Sequence, residues 1–290
     1  MKRVALFVLT NLAVVVTISI LLSVLSAAGL LPAFDQGSLT SLLVVCFVWG
    51  MVGSFISLQL SRFTAKQSLG LRLVDGQTGN GELDRVYNTI GNLTRQAGLP
   101  MPEVGVYESA EVNAFATGPS SSRSLVAVST GLLRQMDQTA IEGVLGHEIT
   151  HIKNGDMVTM ALLQGVINAF VFFFAQVIAS VLFRSERNDR RPGVLYYVAL
   201  NVIQMALSAL GAIVVCWFSR QREFRADAGG AELAGRGNMV AALRSLLAHQ
   251  ELVDNSQASL TTMKIAGGPL ALFATHPPLA VRIARLELAA

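Results

Sequence analysis

Four long apolar runs constrain this chain more than any other feature of its sequence. Each can cross about 30 Å of hydrocarbon as a helix, which takes roughly 20 residues. Lipid cannot satisfy the polar groups of an open backbone, so a crossing run must be helical. We therefore predict four transmembrane helices in two hairpins, at residues 4–31, 41–60, 157–183 and 194–218. An uncleaved signal anchor is the closest alternative for the first run, and a long buried hairpin for the last two.

Composition supports membrane insertion, and the basic residues indicate an orientation. The 290 residues are 52% hydrophobic and 14% charged, whereas a soluble protein carries about a quarter charged residues. Lys2, Arg3, Arg62 and Lys66 flank the first hairpin on one side, so the positive-inside rule places both of its ends in the cytoplasm. The basic link 184–192 would lie on the opposite side, against that rule. The net charge of +3 gives no case for a nucleic-acid partner.

The apolar runs separate two soluble segments, and the pattern as a whole predicts a mostly helical α+β membrane protein. The first soluble segment contains a helix that ends at Gly98, then strands, then a second helix, and so predicts a small β-sheet with helices. The strands are expected at 103–107, 113–118 and 125–129. The predicted order is a transmembrane hairpin, the first part of a soluble domain, a second transmembrane hairpin and the second part of the soluble domain, at 1–62, 63–156, 157–218 and 219–290.

The segment Gly-His-Glu-Ile-Thr-His, which ends at His151, has the spacing of a metal site. Helix residues four apart lie on one face, so His147 and His151 can direct two imidazoles at one ion. Glu148 lies about 100° further round the helix, where it can reach a water on that ion. Two imidazoles, a third ligand and a water make the open site of catalytic zinc. The plain alternative is a surface helix that carries two histidines.

The residues around this motif predict that it lies inside a helix. Thr139 and Glu142 form a capping box, so we expect the helix to start there. Gly155 is a suitable residue for its end. The chain has 4 histidines, and half of them are in this one motif. A helix over this range would present both imidazoles from its middle, as a metal site requires.

Glu223 is the candidate for the third ligand. It lies in a stretch with helical character, and Asp227 is four residues further on the same face. Asp227 can then hydrogen-bond the outer nitrogen of a ligand histidine and fix its orientation. The alternative is an ordinary mixed-charge helix surface, in which Asp227 belongs to an i,i+4 charge pair.

Three groups of residues resemble the HtpX membrane metalloproteases, which are relatives of the CAAX prenyl proteases. They are the Gly-His-Glu-Ile-Thr-His segment with Asn154-Gly155-Asp156, the segment from Ser219 to Asp227, and Thr275-His276-Pro277-Pro278 with Arg282. The resemblance covers nearly the whole chain. It implies a zincin-like domain that holds one Zn²⁺ through His147, His151 and Glu223, with Glu148 as the catalytic base.

The same resemblance implies a biological setting. Proteins of this kind are heat-shock-linked quality-control proteases of the bacterial plasma (inner) membrane, with the catalytic domain facing the cytoplasm. The implied substrates are misfolded or damaged membrane proteins, and the lipid bilayer is then a partner. The sequence predicts no oligomeric state and no cleavage preference.

Further residues are candidates for contact with the reacting substrate. His276 and Arg282 are candidates for stabilising the negative oxygen of a tetrahedral intermediate. The alternative for His276 is a helix-start residue before two prolines. Two strands could present edges that hold an extended substrate backbone, the alternative being ordinary sheet structure. The residues expected there are Asn113, Ala114, Val126 and Val128.

Two other classes of function compete with an enzyme. One is a non-catalytic membrane scaffold or receptor with a structural metal site, which would not need the carboxylate of Glu148. The other is a transporter, but charged residues within the apolar runs are few, so no ion pathway is evident.

Overall fold

The computed structural model describes residues 36–183, 193–256 and 272–288. The predicted span at 4–31 and the link at 184–192 lie outside these ranges. The chain forms two compact units. One comprises the chain up to Phe55 together with Leu162–Ala212, and the other comprises Ile56–Ala161 together with the chain from Ile213 onward.

Helices dominate the described residues, and four short strands accompany them. In chain order the elements are α1 (Gln36–Leu69), β1 (Arg72–Val74), α2 (Gly81–Gln96), β2 (Glu103–Tyr107), β3 (Ala114–Ser120), β4 (Arg123–Ser129), α3 (Thr130–Gln135), α4 (Gln138–Asn154), α5 (Asp156–Leu182), α6 (Val194–Ala234), α7 (Arg236–Ser256) and α8 (Leu279–Leu288). A mostly helical chain with a small sheet was predicted, and this part of the prediction is confirmed.

Three of the described helices are long and apolar enough to cross a membrane, namely Leu39–Leu69, Asp156–Leu182 and Val194–Ala234. Two of them are longer than predicted. Helix α1 begins at Gln36, before the predicted start of its apolar run at 41, and ends at Leu69, after the predicted end at 60. Helix α6 continues without a break past the predicted end of its apolar run at 218. The residues that follow are rich in Arg, Glu and Ala, which favour a helix, and contain no proline.

In the first unit, α1 and α5 pack closely through an apolar cluster and two glycines. Leu39, Leu43 and Cys46 of α1 meet buried residues of α5, chiefly Phe173. A Cβ atom added at Gly50 would lie 2.6 Å from the carbonyl oxygen of Gly165. No side chain larger than hydrogen fits there, so the two helix backbones approach directly.

The second unit is built around a mixed sheet with the strand order β1-β2-β4-β3. β2 and β4 are parallel, whereas β1 pairs with β2 and β3 pairs with β4 in antiparallel fashion. Buried aliphatic residues of β2 and β4 pack with those of α2 and α4 in one core. Strand β1 was not predicted, because its three residues include one buried position, Val74, and give no alternating pattern.

Strand β4 lies inside the sheet, which corrects the expectation that it presents an edge. Val126 and Val128 pair with β2 on one side and β3 on the other. Both side chains are fully buried. Neither residue therefore has free backbone groups for a substrate, and β3 is the edge strand on this side of the described sheet.

The motif helix α4 begins and ends through local contacts. Asp137 caps its start, since its Oδ1 accepts hydrogen bonds from the N–H of Ala140 at 2.7 Å and from the hydroxyl of Thr139 at 2.6 Å. The expected capping box of Thr139 and Glu142 is therefore wrong, because Asp is an equally good cap and lies earlier in the chain. Gly155 ends the helix as predicted, with φ of 66°.

Candidate metal centre

His147 and His151 lie one turn apart on α4 and bring their Nε2 atoms together. These atoms are 3.1 Å apart, and the rings meet edge to face with centroids 4.6 Å apart. Each residue is 8% exposed. The i,i+4 spacing places both rings on one side of the helix, and burial limits the rotamers that they can adopt.

Glu223 reaches the same point from α6. Its Oε2 lies 3.4 Å from Nε2 of His147, and its Oε1 lies 3.4 Å from Nε2 of His151. The carboxylate is fully buried. The three residues offer one ligand atom each, all within 4.8 Å of one another. The structure therefore brings together the three residues that were predicted as ligands.

Glycines allow α6 to approach α4 this closely. A Cβ atom added at Gly230 would lie 3.0 Å from the backbone nitrogen of His147. One added at Gly146 would lie 2.8 Å from the Cβ atom of Ala234. Glu223 lies two turns before Gly230, on the same face of α6. The close contact at the glycines thus fixes how far the Glu223 carboxylate is from the two imidazoles.

Each ligand histidine has a carboxylate at its other ring nitrogen. Oδ1 of Asp227 lies 3.0 Å from Nδ1 of His147, but off the N–H direction, so Nδ1 forms no aligned hydrogen bond within the described residues. Oδ2 of Asp156 lies 2.6 Å from Nδ1 of His151. A carboxylate at Nδ1 directs the lone pair of Nε2 outward to a metal.

Asp156 was not predicted as a site residue, although it stands in the Asn154-Gly155-Asp156 run. Asp156 lies five residues after His151, and residues at this spacing do not share a helix face. Helical periodicity therefore does not predict that the two residues meet. The left-handed conformation of Gly155 turns the chain at the end of α4 and brings Asp156 back to His151. A carboxylate directly after a glycine helix stop is the sequence signal that could have identified it.

The donor set and the charges fit a divalent metal such as zinc. Two imidazole nitrogens and a carboxylate are the ligands that zinc uses in hydrolytic sites. Burial lowers the pKa of His147, but the carboxylates of Asp227 and Glu223 outweigh it and raise that pKa to about 9. The pKa of His151 is likewise raised, since Asp156 and Glu223 outweigh burial. The cluster thus stabilises positive charge where the two Nε2 atoms meet.

Glu148 lies on α4 beside the cluster and is 9% exposed. Its negative charge acts on both His147 and His151. Within the described residues its carboxylate accepts no hydrogen bond and forms no ion pair. It is therefore free to accept a proton from a molecule that enters the site.

His276 contacts the cluster through Glu223. Its Nδ1 lies 2.8 Å from Oε2 of Glu223, and its side chain is 61% exposed. The segment before it is fixed to α6, because Arg220 Nη1 donates to the carbonyl oxygens of Leu272 at 3.2 Å and Ala274 at 2.7 Å. Arg220 was not predicted as a site residue, since its partners lie more than fifty residues away in sequence.

Arg282 is in the cluster, and two of its five N–H donors bind another site residue. Its Nε and Nη2 atoms donate to both carboxylate oxygens of Asp227. The residue is 6% exposed. The structure therefore places Arg282 as the partner of Asp227.

The residues predicted to bind a substrate strand are only partly available. Asn113 donates its N–H to Ser129 Oγ at 3.1 Å and accepts from the N–H of Ser129 at 2.9 Å. Its backbone is therefore used within the chain. Ala114, the next residue, pairs with Val128 at the start of edge strand β3.

Comparison with known proteins finds that this chain is similar to peptidases. The family described as peptidase family M48 matches residues 80–290. The chain is 48% identical to a "Protease HtpX homolog" of Bacillus pumilus, over 99% of each sequence. It is 49% identical to the homologue of the same name from Bacillus licheniformis, again over 99% of each. The fold is similar to the crystal structure of S. mikatae Ste24p, with a TM-score of 0.60, 18% identity and coverage of 96% of this chain and 67% of the other.

Proposed function

The chain belongs to peptidase family M48, as its resemblance to HtpX metalloproteases predicted, and on this basis we propose that it is a zinc endopeptidase that cleaves membrane proteins. Family membership makes it a membrane metalloprotease and implies a metal. Zinc, the substrate and the roles of individual residues are the proposal. The observation that carries it is the meeting of His147, His151 and Glu223 beside Glu148.

The two Nε2 atoms and the Glu223 carboxylate would hold one zinc ion per chain. When bound, zinc would polarise a substrate carbonyl and increase the acidity of a nearby water. Asp227 and Asp156 would keep both imidazoles oriented toward it from their Nδ1 side. All three ligands are buried, so bulk water is excluded around them. The electrostatic contacts of the ligands with the ion and with the two aspartates are therefore stronger than they would be in water.

Glu148 would move the proton during peptide hydrolysis. Its carboxylate takes a proton from the water that attacks the peptide carbonyl, and later gives it to the nitrogen of the leaving amine. Its lack of a hydrogen-bond donor among the described residues supports this role, because a carboxylate that is already bonded is a weaker base.

His276 would stabilise the negative oxygen that develops on the substrate. Its Nδ1 donates to Glu223, so Nε2 would donate to that oxygen in the protonated imidazole, in which both ring nitrogens carry a hydrogen. The exposed side chain faces the solvent side of the cluster, from which a substrate would enter. Arg282 is the weaker candidate for this role, because it is buried and two of its donors bind Asp227.

Edge strand β3 would hold the substrate backbone in an extended form. In an antiparallel pair, alternate residues direct both backbone groups to the partner strand. The carbonyl oxygen of Asn113 accepts from the N–H of Ser129, so by alternation Ala114 and Ala116 direct their backbone groups away from β4. They are free to pair with an added strand, and β3 also packs against motif helix α4.

We further propose that residues 63–156 and 219–290 form one catalytic domain on the cytoplasmic side of a bacterial plasma membrane. Basic residues at the start of both segments, including Lys66 and Arg222, support this orientation. Membrane proteins are the proposed substrates, because helices α5 and α6 carry site residues and also have the length and hydropathy of membrane spans. Misfolded or damaged membrane proteins fit the resemblance to HtpX.

The test is cleavage of a purified single-span membrane protein by the chain in detergent. Cleavage should stop with a zinc chelator and return when zinc is restored. Glu148→Gln should bind zinc normally and lose roughly 10²- to 10⁴-fold in rate. Cleavage that resists the chelator would contradict a metal-dependent mechanism, and normal cleavage by Glu148→Gln would remove that residue from its role. Equal cleavage of casein and of the membrane protein would contradict the proposed substrate class.

A further inference from the structure

The C-terminal helix α8 reaches the metal centre through one side chain. Ile283 and Leu286 pack against Met239 and Leu243 of α7, which fixes α8 in the second unit. The neighbouring residue Arg282 extends inward from this contact and is 6% exposed. A buried guanidinium needs partners for its donors, and here those partners are site carboxylates.

Arg282 binds Asp227 in a two-pronged ion pair. Nε donates to Oδ2 at 2.8 Å, and Nη2 donates to Oδ1 at 2.6 Å. The two parallel bonds fix the plane of the carboxylate as well as its position. Oδ1 is also the atom that lies 3.0 Å from Nδ1 of His147. The orientation of Arg282 therefore determines where the carboxylate meets the imidazole.

We propose that Arg282 is a positioning residue for the metal centre, which holds Asp227 so that His147 keeps its Nε2 atom directed at the ion. The C-terminal helix thereby contributes to metal affinity although it supplies no ligand. This inference rests on the proposed metal site. It also explains why α8 carries a buried arginine next to Ile283, which packs in an apolar cluster.

Charge and position predict opposite effects when Arg282 is replaced. The positive charge of Arg282 disfavours a positive charge on His147, and its Nη1 lies 3.6 Å from Oε2 of Glu223. If charge alone mattered, removing the guanidinium would strengthen the binding of a cation. If Arg282 positions Asp227, removing it weakens binding, because the carboxylate and then the imidazole lose their orientation.

An exposed ion pair between α7 and α8 provides a matched control. Arg244 of α7 pairs with Glu287 of α8 at 2.7 Å, and these side chains are 66% and 46% exposed. Arg244→Gln removes an arginine–carboxylate pair that involves α8 without touching the metal centre. Any effect of a general weakening of α8 would appear in both variants, whereas a positioning effect would appear in Arg282→Gln alone.

The experiment measures zinc dissociation constants by chelator competition, and visible absorption spectra of the cobalt-loaded proteins. Arg282→Gln should bind zinc roughly 10- to 100-fold more weakly and show an altered cobalt spectrum. Arg244→Gln should match the unmodified chain in both. Arg282→Lys should be intermediate, since one ammonium cannot hold both oxygens in a fixed plane. Adding Arg282→Gln to an Asp227→Asn variant should cause no further loss, because the two residues act in series.

Unchanged or tighter zinc binding by Arg282→Gln would overturn the inference, as would full additivity with Asp227→Asn. If Arg282→Gln does not fold, the same comparison between Arg282→Lys and the unmodified chain decides it. An unmodified chain that binds no zinc would instead overturn the proposed function. A chain that binds zinc and is indifferent to Arg282 would overturn only this inference.

Discussion

Nδ1 of His151 lies 2.6 Å from Oδ2 of Asp156, the first residue of α5. The residue that orients a ligand histidine is thus also the start of a helix long and apolar enough to cross a membrane. Both residues are buried. A short contact of this kind fixes the ring against rotation about its side-chain bonds.

Asp156→Ala should weaken zinc binding by roughly 10- to 100-fold, because the imidazole of His151 loses the carboxylate that orients it. Chelator competition gives the dissociation constant. Lys153→Gln, an exposed change two residues after His151, is the matched control and should bind zinc normally. Equal affinities for the two variants would contradict an orienting role for Asp156.

Glu223→Ala should abolish stoichiometric zinc binding, since the third protein ligand is lost and two imidazoles alone hold zinc weakly. Metal analysis after gel filtration should fall from about one zinc per chain to well below one. Glu232→Ala, an exposed change on the same helix, should keep the full zinc content. Full occupancy in Glu223→Ala would mean that another residue is the ligand.

Gly230→Ala should lower both the melting temperature and the zinc affinity, because the added Cβ lies 3.0 Å from the backbone of His147 and forces α6 from α4. The expected cost in the free energy of unfolding is roughly 1 to 3 kcal/mol. Gly237→Ala meets no atom within 4 Å and should be neutral or stabilising by up to about 1 kcal/mol. Similar zinc affinities in both variants would show that helix spacing does not control the site.

Arg220→Ala should reduce kcat while zinc content stays normal, because the segment that carries His276 loses its hydrogen bonds to α6. Two hydrogen bonds of about 1 kcal/mol each correspond to roughly a 10- to 30-fold loss. His276→Ala should lower kcat as well, and the double variant should be no slower than His276→Ala. Arg225→Ala, whose guanidinium lies over the Phe218 ring at 5.8 Å, is the control. Additive losses would contradict positioning through His276.

Ala116→Pro should raise KM with zinc content unchanged, because it removes one N–H from the free side of β3. Proline is tolerated at such a position on an edge strand. The loss of one backbone hydrogen bond predicts a change of roughly 2- to 10-fold. Ala116→Val keeps the N–H and should retain the KM of the unmodified chain. A KM that Ala116→Pro leaves unchanged would remove β3 from substrate binding.

Much of the fold could be predicted because its signals are local. The alternation in 103–107 predicted β2 at the bounds that the structure shows. Strand order could not be predicted in the same way. Val126 and Val128 lie on a central strand because β2 and β3 both pair with β4, and such pairings depend on the whole sheet.

The sequence by itself determined that the imidazoles of His147 and His151 and the carboxylate of Glu148 lie on one helix. The spacing of these residues along α4 fixes where each side chain stands around the helix axis. It also determined that the long apolar segments favour lipid, because the number of consecutive apolar residues decides whether a helix can cross the membrane. Only the tertiary structure decided how the distant residues reach the site. Asp156 returns through the left-handed Gly155, Glu223 approaches through Gly230, and Arg282 arrives from the last helix. These contacts depend on how helices pack, and packing arises from many weak interactions that no short pattern encodes.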